Sequence, residues 1–138
     1  MGSLVAWHRE LVATLEAVMP TLEGPADELP TMGGRVVQCA VVWPTPGVET
    51  TRADGVAAHA RTDTARVVFV GATTLDCLAA VTRGREALQG NRLAASGPGG
   101  GRIREAGFQG GEPVVEPGTN PVRVSLSVQF DAVSKEPR

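Results

Sequence analysis

Near its C-terminal end the chain alternates strictly between apolar and polar residues. Over residues 122–131 the apolar members are Val122, Val124, Leu126, Val128 and Phe130, and each is followed by a polar or charged residue. Successive side chains of a β-strand point to opposite faces, so this period of two predicts a strand with one buried face and one solvated face. Such a strand is typical of an antiparallel sheet that helices cover on one side.

A helical period marks residues 3–19. Ser3 is a good N-cap, because its hydroxyl can accept a hydrogen bond from a free N–H of the first turn. Pro20 ends the segment, since proline lacks the N–H that a helix needs. The predicted buried stripe recurs every three or four residues and consists of Leu4, Trp7, Leu11, Leu15 and Val18.

A second helix is predicted over residues 73–89. Thr73 begins it, with an acidic residue three positions later in a capping-box-like arrangement. Gly90 follows the last turn, where a residue in left-handed geometry often ends a helix. Its inward residues are expected to be Leu75, Leu78, Val81 and Leu88.

Three further segments, 35–43, 64–71 and 101–105, are predicted to be strands, with Ile103 inward in the last of them. The element order is then α-β-β-α-β-β. This order predicts an α+β two-layer sandwich, with a four-stranded, mainly antiparallel sheet and two helices on one face. The intervening segments are expected to be irregular, and they are 20–34, 44–63, 94–101 and 106–121. The glycine-rich segment 94–101 is also expected to be flexible. The predicted core consists of Leu11, Leu15, Val41, Phe69, Leu78, Val81, Leu126 and Val128.

Length and charge narrow the class of protein. A chain of 138 residues fits one domain, 1–138, with a frayed tail over about 134–138. The net charge of −2 and a pI of about 5.7 do not resemble the basic footprint of a nucleic-acid-binding protein. No signal peptide and no membrane-spanning segment are expected. Cys39 and Cys77 lie in apolar stretches and are predicted to be reduced and buried.

No motif in the chain points to catalysis, a metal or a cofactor. The two histidines, His8 and His59, have no second ligand at metal-binding spacing. Cys77 lies in the first turn of a helix, where a thiol can be activated, but its apolar neighbours favour burial. The glycine run 97–101 lacks the Lys-Ser or Lys-Thr of a phosphate loop and precedes a strand, whereas phosphate loops open helices. We therefore expect no catalytic, metal-binding or cofactor-binding residue.

In the order and spacing of its elements the chain resembles the tail terminator proteins of long-tailed, non-contractile phages, especially those of actinobacterial hosts. The resemblance spans most of the chain and rests on three segments. Residues 41–47 (VVWPTPG) end a strand, residues 66–73 (RVVFVGAT) join a strand to a helix, and residues 83–88 (RGREAL) end that helix. Ile103, Arg104 and Glu105 fit a third strand, and residues 124–130 fit the fourth.

This resemblance implies a structural virion protein without catalysis or cofactor. Such proteins form a homo-oligomeric ring, usually a hexamer, which caps the tail tube, ends its polymerisation and joins the tail to the head. The implied partners are other copies of the chain, the tail tube protein and a head-completion or connector protein. Genome DNA would pass through the ring without sequence-specific binding. Assembly would take place in the host cytoplasm, and the protein would reside at the head–tail junction of the virion.

The predicted loop 44–63 is the candidate assembly arm. At about 20 residues it is long for a compact domain, and such loops are usually functional or disordered. Its charges of mixed sign, Arg52, Asp54, Arg61 and Asp63, suit the polar rim of a subunit interface. Glu112 and Glu116, in the connection 106–121, are further candidate interface residues.

Three alternatives remain open. The chain could be a head-completion or adaptor protein that uses the same elements. It could instead be a small ferredoxin-like enzyme or ligand-binding domain on the polar sheet face, which predicts a pocket with converging polar groups and shifted pKa values. The predicted loop could also be a surface loop without a partner.

Overall fold

Two long antiparallel strands form the centre of the protein. They are β6 (Ala57–Gly71) and β9 (Val124–Lys135), and they pair continuously from Ala60 opposite Lys135 to Gly71 opposite Val124. The computed structural model describes residues 2–25, 28–51, 57–106 and 111–135, and of residues 49–51 and 57–59 it describes the backbone alone.

The remaining elements are shorter. The helices are α1 (Leu4–Glu16), α2 (Thr74–Leu88) and a 3₁₀ helix (Ala94–Ser96). The other strands are β1 (Thr21–Glu23), β2 (Thr31–Met32), β3 (Arg35–Val36), β4 (Cys39–Pro44), β5 (Val48–Thr51), β7 (Arg104–Glu105) and β8 (Val114–Val115).

Seven strands form one mixed sheet in the order β1-β4-β6-β9-β7. On one side of β6, β4 and β5 follow one another along the strand, and both are antiparallel to it. On the far side of β9, β7 and β8 pair with different parts of that strand. Only β1 pairs in parallel, with β4, among the described residues. Strands β2 and β3 form a separate two-stranded sheet.

The predicted fold of four strands in the order α-β-β-α-β-β is therefore wrong, although the chain is α+β with two helices. The four strands that the prediction missed, β1, β2, β5 and β8, have only two to four residues. A strand this short has no readable period. Strands β1, β5 and β8 form where a longer strand offers unpaired backbone groups, and β2 pairs with the equally short β3. The parallel partner β1 lies in a Pro- and Gly-rich segment that the sequence indicated as a loop.

Both helices pack on one face of the sheet and share one core with it. The side chains on this face come from alternate positions of the three longest central strands. They are Ala40 and Val42 of β4, Ala65, Val67 and Phe69 of β6, and Val128, Phe130 and Ala132 of β9. Trp7, Leu11 and Leu15 of α1 and Ala80, Val81 and Leu88 of α2 complete the cluster. Phe69 and Phe130 meet edge to face, with ring centroids 6.5 Å apart.

The helix ends follow the sequence closely except at the end of α1, which stops at Glu16 instead of reaching Met19 before Pro20. The Ser3 hydroxyl accepts a hydrogen bond from the Ala6 N–H at 3.0 Å, and the Thr73 hydroxyl accepts one from the Asp76 N–H at 3.1 Å. Gly90 has a φ of 79°, as expected for a glycine after a helix end. Short polar side chains and glycine determine these ends locally, so the prediction did not depend on the tertiary fold.

The predicted inward face of α2 is wrong in part. Leu75 is 77% exposed and Leu78 is 41% exposed, whereas Val81 and Leu88 are buried. The face in contact with the sheet also contains Cys77, Ala80 and Gly84. A side chain at Gly84 would overlap the ring of Phe69, so α2 lies close to the sheet through its small residues. The predicted stripe of the first helix is also wrong at its end, because Val18 lies beyond α1 and is exposed, whereas the neighbouring Met19 is buried.

Most of the predicted core is confirmed. Leu11, Leu15, Val41, Phe69, Val81 and Val128 are buried. Leu78 is the wrong member, and Leu126 is half-buried at the margin of the main cluster. Ile103 is buried as predicted, although it precedes β7 instead of lying within it.

Each of the four segments predicted to be irregular contains regular structure, namely β1 and β2 in 20–34, β5 and part of β6 in 44–63, the 3₁₀ helix in 94–101 and β8 in 106–121. The glycine-rich segment 94–101 contains the 3₁₀ helix, and its Ser96 is buried beneath Gly100. Glycine is present here because Gly100 lies against the Ser96 backbone, which leaves no room for a side chain. Strand β9 continues to Lys135, so the first two residues of the predicted frayed tail belong to the sheet. The remainder of that tail, 136–138, lies outside the described residues.

Candidate functional site

The predicted loop 44–63 is largely a β-hairpin. Strand β5 pairs with β6 from Val48 opposite Thr62 to Thr51 opposite Ala57, with an irregularity between Glu49 and Thr51. The last described pair between β6 and β9 is Ala60 with Lys135. Beyond this point β6 continues to Ala57 and pairs with β5 alone among the described residues. We call β5 together with residues 57–60 the arm.

A buried polar network lies at the base of the arm. The Arg61 guanidinium donates to both carboxylate oxygens of Asp63, one of them at 3.0 Å, and to the Gly2 carbonyl at 3.3 Å. The same carboxylate accepts a hydrogen bond from the Ser134 hydroxyl, which lies 3.3 Å from the hydroxyl of Ser96. Asp63, Ser96 and Ser134 are fully buried and Arg61 nearly so. The network therefore links β6, β9, the 3₁₀ helix and the start of the chain.

The six predicted interface residues lie in different environments. The structure brings Arg61 and Asp63 together, but as an internal ion pair, so their polar atoms are engaged within the subunit. Arg52 and Asp54 lie outside the described residues. Glu112 is exposed, and Glu116 lies half-buried with its Oε2 3.4 Å from Nε of Arg123. A role of these residues in cross-subunit contacts stays a prediction.

The sheet face opposite the helices, where the ligand-binding alternative placed its pocket, carries a second feature, although the sequence did not indicate which residues line it. Three rows of paired residues run across β4, β6 and β9 there: Cys39–Val70–Ser125, Val41–Val68–Ser127 and Trp43–Arg66–Gln129. Together with Leu29, Glu116 and Arg123, most of them line a cleft of about 270 Å³, which we call the sheet cleft. The Arg66 guanidinium lies over the Trp43 ring, 5.3 Å from its centroid.

A more apolar cleft of about 340 Å³ lies between α1 and the end of β4, and we call it the helix cleft. Its polar wall contains His8, which is only 8% exposed. Nε2 of His8 lies 3.2 Å from the Thr45 carbonyl oxygen, which only accepts, so the neutral ring carries its proton on Nε2. Burial lowers the pKa of His8 below 6.5, although the Thr45 carbonyl acts in the opposite direction. Nδ1 is buried without a hydrogen-bond partner.

Neither cysteine has the environment of a nucleophile. Both thiols are free and buried, as predicted, and burial raises the pKa of each to about 11. The Cys77 thiol donates to the Phe69 carbonyl at 3.4 Å and faces the sheet. Because the thiolate is the reactive form, these residues act as small core side chains.

In the described part of the chain, no three His, Cys, Asp or Glu side chains converge in a way that could hold a metal ion. None of the helices there is long and apolar enough to cross a membrane. No protein-family model matches the chain, and no curated protein matches it. The features of the described chain that suit a function are the arm, the buried network at its base and the two clefts.

Proposed function

We propose that the chain is a structural virion protein that assembles into a ring at the end of a phage tail tube. The ring, by this proposal a hexamer, stops tube polymerisation and joins the tail to the head connector. Its partners are neighbouring copies of the chain, the tail tube protein and a head-completion protein, while genome DNA passes through. The observation that carries the proposal is the arm, whose strand β5 pairs with β6 along one edge and has no second strand partner among the described residues.

An arm of this kind suits a head-to-tail ring. Identical subunits close a ring through heterologous contacts, in which one surface of a subunit meets a different surface of the next. In the arm, Val48 is 67% exposed, and the outer edge of β5 has no strand partner among the described residues. Unpaired strand edges readily bind another chain, because their backbone groups are free to form hydrogen bonds.

The buried network supports this use of the arm. Arg61 and Asp63 lie directly after the arm in β6 and are tied to Ser134 in β9. A projecting hairpin keeps a defined direction only if its base is rigid, and a rigid arm loses less conformational entropy when it binds. The ion pair thus helps the neighbouring subunit indirectly, by orienting the arm.

The first experiment measures the mass of the purified chain by light scattering, alone and with a tail tube protein. We expect a ring or a capped tube for the natural chain. Residues 50–60 are then replaced by Asn-Gly, a two-residue turn that fits between the paired residues Glu49 and Arg61. This variant should remain a folded monomer that no longer caps tubes. Tubes of normal length with this variant would show that the arm is not the assembly element.

A matched pair of substitutions locates the contact more finely. Val48 in the arm and Val114 in β8 are both exposed valines on short strands at the sheet margin. Val48→Ser should weaken ring formation, whereas Val114→Ser should leave it unchanged. The reverse result would move the assembly surface to the 106–121 connection, where Glu112 and Glu116 lie.

Two other functions predict different outcomes. A head-completion or adaptor protein would co-purify with the portal side of the junction and would not cap tubes. The ligand-binding alternative was predicted for the polar sheet face, but one observation favours a different place, the helix cleft with its buried, pKa-shifted His8. In that case the chain would stay monomeric with tube protein, and small apolar compounds would perturb the surroundings of His8.

A further inference from the structure

The sheet cleft contains more positive than negative charge. Its titratable side chains are the two guanidinium groups of Arg66 and Arg123 and the single carboxylate of Glu116. Glu116 lies beside Arg123, with 3.4 Å between Oε2 and Nε. Arg66 is exposed, and no carboxylate of the described residues lies within ion-pair distance of it. Its stacking on Trp43 orients the guanidinium without neutralising its charge.

The hydrogen bonds of Arg123 are also incomplete. Its Nε is buried and makes no hydrogen bond of acceptable geometry, even though Glu116 is close. Buried donors in proteins nearly always have an acceptor, so the contact with Glu116 leaves the hydrogen-bonding capacity of this guanidinium partly unused. A guanidinium presents several N–H groups in one plane and matches the two oxygens of a carboxylate.

The two walls of the sheet cleft differ in polarity. Ser125 and Ser127 of β9 lie on one side, and their hydroxyls can donate to an anion. Val70 and Val68 of β6 lie opposite them in the pairing. With Val41 and Leu29 these valines form an apolar wall next to the polar one. A ligand that fills the cleft therefore has an anionic end and an apolar part.

We propose that the sheet cleft binds a carboxylate borne next to an apolar group, as at an acidic residue in a segment of another protein. Charge complementarity favours this occupant, because the cleft has one net positive charge. A nucleic-acid strand is less suited, since the chain is acidic overall and Glu116 would repel phosphates. Glu116 lies beside Arg123, so an incoming carboxylate competes with it. The site does not depend on ring formation.

The test uses the full chain and small probes, with backbone amide NMR signals of Ser125 and Ser127 as the readout. Valerate combines a carboxylate with an apolar tail, acetate lacks the tail, and valeramide lacks the charge. We expect valerate to bind about tenfold more tightly than valeramide, as for a hydrogen-bonded charge. Acetate should bind more weakly than valerate, because it leaves the valine wall uncovered. Inorganic phosphate and a single-stranded oligonucleotide complete the series and should bind more weakly than valerate.

Three substitutions give results of different sign. Arg66→Gln removes the cation and should weaken valerate binding about tenfold. Arg66 is exposed, so the substitution leaves the core unchanged. Glu116→Gln should strengthen binding by roughly threefold, because it removes the competing carboxylate. Arg92→Gln removes an exposed arginine that does not line the cleft and should have no effect.

Four results would overturn the proposal. Valerate and valeramide could bind equally, which would exclude recognition of the charge. Arg66→Gln and Arg92→Gln could reduce binding by the same amount, which would indicate non-specific attraction. The oligonucleotide could bind more tightly than valerate and shift the same amides, which would assign the cleft to nucleic acid. No shift of the Ser125 and Ser127 signals at saturating probe would show that the cleft is not a site.

Discussion

Arg61 and Asp63 lie two residues apart on the same face of β6, and their side chains pair with each other inside the protein. Residues i and i+2 of a strand point the same way, so this pairing requires that the segment be extended. The Ser134 hydroxyl from β9 also donates to Asp63, which connects the pair to the neighbouring strand. A segment that looks like a polar loop is thereby fixed as the base of the arm.

Asp63→Asn should lower the free energy of unfolding by about 3–5 kcal/mol, because it leaves the buried Arg61 guanidinium without a counter-charge. Chemical denaturation of the natural chain and the variant measures this loss. Asp131→Asn is the matched control, because Asp131 is only partly buried and lies outside the network. A loss below about 1 kcal/mol for Asp63→Asn would mean that water reaches the pair.

Leu88→Ala should lower the free energy of unfolding by about 2–5 kcal/mol, as for other fully buried leucines. Leu75→Ala in the same helix should change it by less than about 0.5 kcal/mol, because Leu75 is exposed. Denaturation curves of the two variants compare the two faces of α2 directly. Equal losses would show that α2 is rotated from the orientation described above.

The helices and most of the core could be predicted because their signals are local. Ser3 and Thr73 cap helices through their own side chains, and the alternation in β9 shows which of its residues face inward. The buried face of α2 was harder to predict. Its contact with the sheet is made by Cys77, Ala80 and Gly84, and small residues carry little weight in a hydrophobic pattern. The larger Leu75 and Leu78 indicated a different face.

The strand structure of the arm was missed for a different physical reason. Charged side chains are usually exposed to solvent. The sequence does not show that Arg61 and Asp63 neutralise each other in the core. One signal was available, because no Pro or Gly interrupts residues 56–70 and the strand could have been extended backwards. The sheet cleft depends on strand register, which places Trp43 opposite Arg66. No local pattern specifies that pairing, so the cleft could not be predicted from the sequence.

Gly84→Ala tests whether helix propensity or packing has the larger effect on stability at this position of α2. In an exposed helix position this change stabilises by up to about 1 kcal/mol, because alanine loses less backbone entropy than glycine. Here the added methyl group would overlap the Phe69 ring, so we expect a net loss of about 1–3 kcal/mol. Denaturation curves show whether the free energy of unfolding rises or falls. Thr82→Ala, at an exposed position of α2, should slightly increase the free energy of unfolding. When Phe69→Leu is combined with Gly84→Ala, it should recover part of the stability that Gly84→Ala loses.

His8 should make the protein less stable at mildly acidic pH. Burial lowers the pKa of His8 in the folded chain, whereas in the unfolded chain it stays near 6.5. As the pH falls below about 6.5, the unfolded state binds a proton that the folded state does not, so the free energy of unfolding decreases. The decrease continues until the pH reaches the folded pKa. His8→Gln has no such group and should lack this part of the pH dependence.

The measurement is the difference in unfolding free energy between the natural chain and His8→Gln at pH 7.5, 6.5 and 5.5. Taking the difference removes the contribution of the carboxylates, which both proteins share. We expect the natural chain to lose stability relative to the variant on acidification. NMR titration of the imidazole signals gives the pKa directly. The signal that disappears in His8→Gln belongs to His8, which distinguishes it from the signal of His59. A constant difference over this range, or a His8 pKa at or above 6.5, would show that the ring is solvated and that the helix cleft is open to water at this wall.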